Sequence, residues 1–116
     1  MNLFEALLVG HLVGDFLFQT HWMAENKNTK LWPLFVHSLV YTLTVYAFSW
    51  LTGGISYWGM AIIFLSHFLL DQRSFTRWWL DNISKSSGLI WMQFAIDQVF
   101  HIVFLTLVVF LNLHGY

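Results

Sequence analysis

Residues 88–113 read GLIWMQFAIDQVFHIVFLTLVVFLNL, an apolar run interrupted in its interior by one carboxylate, Asp97, and one imidazole, His101. A bilayer core about 30 Å thick is crossed by about 20 mostly apolar residues in a helix, so this run is long enough to span one. Three further runs upstream read the same way: Leu3–Thr20, Pro33–Thr52 and 57–72. Together they predict a single domain over residues 1–116, an all-α polytopic membrane protein with four transmembrane helices in a bundle. Pro33, the only proline, falls in a first helical turn, where its missing N–H costs nothing. Gly53-Gly54 marks the turn between the second and third spans. Between the third and fourth, SFTRWWLDNISK (74–85) places Phe75, Trp78 and Trp79 on one helical face and Arg77 and Asp81, with the preceding Arg73, on another. That pattern predicts a short interfacial helix.

Composition agrees. A chain that is 58% hydrophobic and 9% charged carries more apolar surface than a soluble core of this length can hide. The absence of cysteine removes disulfides, zinc–thiolate sites and iron–sulfur clusters. With a net charge of −1 and five Lys plus Arg, a nucleic-acid partner is excluded. All five basic residues fall in two loops: Lys27 and Lys30 in the first, Arg73, Arg77 and Lys85 in the third. The positive-inside bias puts those loops in the cytoplasm and both termini outside. Trp32, Trp50, Trp58 and Trp91 lie near span ends, as an interfacial belt requires. No basic segment precedes the first apolar run, and Glu5 stands within it, so that span is expected to remain in the mature protein.

The polar residues inside the spans carry the functional signal. Each Asp at a span centre opposes insertion by about 2.5–3.5 kcal/mol, so Asp15, Asp71 and Asp97 together oppose it by roughly 8–10 kcal/mol. Each has a histidine four residues away: His11 with Asp15, His67 with Asp71, and His101 with Asp97. That spacing puts both side chains on one helix face. The remaining span supplies His37, and helices packed 8–10 Å apart would let all seven residues converge in the cytoplasmic half. Ordinary polar contacts between spans need only Ser, Thr, Asn or Gln, so three repeats of a His/Asp pair point to a metal site. The expected ligands are His11, Asp15, His37, His67, Asp71, Asp97 and His101. Imidazole and carboxylate without thiolate suit zinc first, with manganese, iron or nickel as alternatives, and the ligand number allows two ions.

GHLVGDFLFQT (10–20) and SHFLLDQRSFT (66–76) share small-His-x-x-x-Asp-x-x-x-x-Thr, a weak internal echo relating the first and third spans. Gly10 and Gly14 also form a small-x-x-x-small face that would let a helix approach closely, whether in this chain or in a homo-oligomer.

Taken together, His11-x-x-x-Asp15-x-x-x-Gln19, Trp22-Met23-Ala24, Asn26-Lys27, His37 with Tyr41, His67-x-x-x-Asp71 and Asp97-Gln98-x-x-His101 resemble a bacterial family of small membrane proteins, domain of unknown function 3307. The resemblance covers most of the chain. It implies a multi-pass protein of the bacterial inner (cytoplasmic) membrane with a polar intramembrane site, and brings no reaction with it. Members often have Lys shortly after the third-span Asp, where this sequence has Arg73 and Ser74.

The leading functional expectation is a metal-dependent hydrolase or phosphoesterase acting on a lipid or lipid-linked substrate. Asp15 and Asp97 are its candidate catalytic carboxylates, and Gln19, Gln98, Lys27 and Arg73 orient ligands or substrate. The alternatives are an ion- or proton-coupled transport module and a non-enzymatic assembly or partner-binding subunit.

Overall fold

A computed structural model of the chain describes residues 1–27 and 29–115, and every regular element among them is helical. Helix α1 (Leu3–Leu12) starts on a reciprocal cap in which Asn2 Oδ1 accepts from Glu5 N at 2.8 Å and Glu5 Oε2 accepts from Asn2 N at 3.1 Å. It widens into a π-helical turn at Val13–Leu17 that carries Asp15. The short α2 (His21–Asn26) follows, capped by the Thr20 hydroxyl, then α3 (Leu31–Ser49), which tightens into a 3₁₀ turn at Trp50–Thr52. Helices α4 (Tyr57–Asp71), α5 (Ser74–Asn82) and α6 (Ile90–Leu113) complete the chain. Gly53 and Gly54, at φ 102° and 87°, make the turn into α4 in the left-handed region that other residues enter only with strain.

Helix α1 packs along α3, α3 along α4, α4 along α6, and α6 returns against α1, closing a four-helix ring; α5 lies against α4 and α6, and α2 against α3. Close approach of α1 to α3 depends on the two glycines. A Cβ on Gly10 would stand 3.0 Å from Val45 Cα, and one on Gly14 would stand 3.2 Å from the Tyr41 ring. The small-residue face is therefore covered within the chain.

The bundle interior is divided along its length. Leu7, Val45, Ile55, Ile63, Leu105 and Val108 form an apolar core toward the Gly53-Gly54 end, with Tyr41 at its margin. Beyond Tyr41 the interior is polar, with His11, Asp15, His37, His67, Asp71, Asp97 and His101 all buried. The outside is the reverse: Ile90, Phe94, Val103 and Phe110 of α6 and Leu39 and Leu43 of α3 are among many large apolar side chains left exposed.

Of the four expected spans, two have the length of a membrane-crossing helix. Leu31–Thr52 and Ile90–Leu113 are long and apolar enough to cross a membrane, whereas Tyr57–Asp71 is apolar but shorter. The first run stops being helical at Leu17, because Thr20 caps a new helix and turns the chain. The segment 74–85 does form a helix, ending at Asn82, with Phe75 and Trp79 seated edge-on against Phe100 of α6.

Candidate metal centre

Four side chains meet at the polar end of the ring. Asp15 comes from the π turn, His37 from α3, and His67 and Asp71 from the last two turns of α4. His37 Nε2 lies 3.1 Å from Asp15 Oδ1 and 3.1 Å from Asp71 Oδ2. His67 Nε2 lies 3.2 Å and 3.4 Å from the same two oxygens. One atom from each residue thus falls within 4.8 Å of the others. An imidazole Nε2 carries at most one hydrogen, so it cannot fully satisfy two carboxylate oxygens. These four distances are close to four of the six edges, each about 3.3–3.4 Å, of a tetrahedron with metal–ligand bonds of about 2.0–2.1 Å.

A second group shares Asp71. Its Oδ1 lies 3.3 Å from His101 Nε2, and Asp97 completes the set. His101 Nδ1 donates to the Asp97 backbone carbonyl at 2.7 Å, so Nε2 would carry the lone pair whenever the ring is neutral. That Nε2 and Asp97 Oδ1 are both buried without a hydrogen-bond partner among the described residues. The two groups are joined by one carboxylate, as in a site for two ions or for one ion and a water.

The surrounding contacts orient the ligands. His67 Nδ1 lies 3.2 Å from the Ser38 hydroxyl, and its ring stacks on Tyr41 with centroids 3.9 Å apart. Lys27, only 8% exposed, donates to Asp71 Oδ2 at 2.9 Å. With neutral imidazoles, the carboxylates of Asp15, Asp71 and Asp97 against the Lys27 ammonium leave two negative charges in a buried cluster. One divalent cation balances them, and an unbalanced buried charge is strongly unfavourable.

His11 stands apart from both groups. Its Nε2 donates to Gln98 Oε1 at 2.8 Å and its Nδ1 lies 2.8 Å from the Tyr41 hydroxyl, so neither nitrogen is free to bind an ion. The cause is the π turn between His11 and Asp15: the wider turn carries Asp15 around the axis toward α3 and α4. Gln98 in turn donates to Asp15 Oδ2 at 3.3 Å and to Asp97 Oδ2 at 3.4 Å. His11 therefore acts through Gln98 on Asp15. Gln19 is half-buried, and its Oε1 has no hydrogen-bond partner among the described residues, while Arg73 and Arg77 line a cavity with Asp97.

Sequence reasoning missed Ser38 and gave Tyr41 no role. Both were within reach: Tyr41 lies one turn from His37 on the same face, and Ser38 is the residue next to His37.

The chain belongs to the family described as protein of unknown function, DUF3307, whose pattern matches residues 3–115. No curated protein matches the chain. No solved structure matches it either.

Proposed function

We propose that the chain is a multi-pass protein of the cytoplasmic membrane whose buried His/Asp centre binds zinc and hydrolyses an ester in a lipid or lipid-linked substrate. The observation that carries the reading is the set of four Nε2–carboxylate distances between 3.1 and 3.4 Å, close to four of the six edges a tetrahedral zinc site would have. Membrane placement is supported by two long apolar helices, an apolar exterior and a polar interior. In the four-span arrangement, α4 with its 15 residues rises about 22 Å and needs local thinning or tilt of its surroundings. The basic loops face the cytoplasm and the termini lie outside.

A divalent ion at the first group would supply Lewis acidity toward a water and the ester oxygen. The residues then divide the work. Asp15, His37, His67 and Asp71 hold the ion, while Gln98 and Lys27 fix the two carboxylates. Asp97, whose Oδ1 has no hydrogen-bond partner among the described residues, is the base. Water oxygen bonds to the ester phosphorus or carbonyl carbon, the bond to the alcohol oxygen breaks, and the water's proton passes by way of Asp97 to that alcohol oxygen.

Elemental analysis of purified protein tests the reading. About one zinc or more per chain is expected, lost in His67→Ala and in Asp15→Asn; folded wild-type protein that takes up no metal would refute it. A second reading, proton-coupled transport, is favoured by one feature, the continuous chain Tyr41–His11–Gln98–Asp15. Proton flux in liposomes that survives loss of the metal would select it.

A further inference from the structure

Two cavities open beside the cluster, and both are basic. The larger, about 450 Å³, lies between α5 and α6 and is lined by Arg73, Thr76, Arg77, Gln93 and Asp97 among others. The smaller, about 290 Å³, is lined by Lys27, Lys30 and Arg77 together with the polar Gln72 and Ser74, and no carboxylate is among its described lining residues. Arg77 belongs to both. Each cavity leads to a different part of the centre: Asp97 forms part of the wall of the first, and Lys27, in the wall of the second, is bonded to Asp71.

We infer that these cavities form one recognition site for a phosphate group, seated across Arg77 with its ester directed at Asp71 and Asp97. Among the described residues neither Arg73 nor Arg77 has a carboxylate partner, so both guanidinium forks are available. Thr76, a residue of the larger cavity's wall, is 2% exposed, and its buried Oγ1 has no hydrogen-bond partner among the described residues. Arg73 is held at φ 64°, a backbone state that costs a non-glycine residue free energy and concentrates at binding sites. The charge pattern selects the anion. A single carboxylate is satisfied by one bidentate arginine, whereas a phosphate offers acceptor oxygens in several directions and matches two arginine forks flanked by lysines.

This assignment rests on the hydrolytic reading of the same site, and the experiment separates the two. Full-length protein in maltoside micelles, which contain no phosphate, is loaded with zinc and titrated with inorganic phosphate, with short-chain phosphatidic acid, and with the matching diacylglycerol. Saturable binding of inorganic phosphate or of phosphatidic acid, but not of diacylglycerol, is expected; the first names the free anion as sufficient, the second alone a lipid headgroup. Arg77→Gln and Arg73→Gln should each weaken it roughly tenfold, with zinc content unchanged, and Lys85→Gln, outside both cavities, should leave it as in wild type. Zinc-loaded wild-type protein that binds neither phosphate probe, or binding indifferent to both arginine variants, overturns the assignment. Arginine-dependent phosphate binding by a protein that holds no metal supports it and overturns the metal reading instead.

Discussion

Asp71 is the residue on which the site turns, because both of its oxygens are in use. Oδ2 faces His37, His67 and Lys27, and Oδ1 faces His101. Asp71→Asn should therefore lose all bound metal, which elemental analysis would read directly. Tyr41 acts at one remove, through the hydroxyl on His11 and the ring stacked on His67. Removing a group that orients a metal ligand typically costs about 10–100-fold in affinity. Tyr41→Phe is therefore expected to weaken zinc by that order in a chelator competition while leaving the helix content unchanged; unaltered affinity would show that the His11–Gln98 chain does not govern Asp15. Asp97→Asn should behave oppositely, keeping the first group's ion and lowering hydrolysis about 10²–10⁴-fold. A steady-state assay beside a metal measurement on the same sample distinguishes the two.

At the scale of elements, the contact between α1 and α3 is the tightest constraint. Gly10 meets backbone, Val45 Cα, so an added Cβ has no flexible side chain to displace. Overpacking of this kind costs about 1–3 kcal/mol, and Gly10→Ala is expected to lower thermal stability in detergent accordingly. Gly53 is the contrast: nothing lies within 4 Å of its would-be Cβ, and only its φ of 102° resists substitution. Gly53→Ala should cost about 1 kcal/mol, a strain effect without a packing one. The echo between residues 10–20 and 66–76 has a partial counterpart here. Asp15 sits in the last turn of its helix and Asp71 closes α4, each is followed by a short helix, α2 or α5, and both carboxylates face the same two imidazoles. The histidines do not follow the echo, since His67 is in the first group and His11 is not.

The whole molecule is polar inside at one end and leaves many large apolar side chains exposed on its outside. Val103, 52% exposed on α6, tests whether lipid covers that exterior. Val103→Arg should impair insertion by about 2.5–3.5 kcal/mol if the helix spans a bilayer, read as a shift from membrane to aggregate fractions; an unaffected distribution would count against spanning. The chain has no cysteine, so single cysteines report topology without background. With a membrane-impermeant maleimide on intact cells, Tyr57→Cys should label and Lys30→Cys should be protected; the reverse pattern would invert the proposed orientation.

Helix content, the two long apolar elements, the Gly53-Gly54 turn and the 74–82 helix were legible in the sequence because each is set by local composition and period. The His/Asp pairs at a spacing of four were legible for the same reason, and all of their members are buried. Local spacing could not say which members converge on one another. That depended on the π turn moving Asp15 away from His11, on α3 bringing His37 between α1 and α4, and on Lys27 folding back from α2 onto Asp71. The cluster is made of distances between elements, and those distances are fixed by helix packing, which no periodicity within one helix encodes.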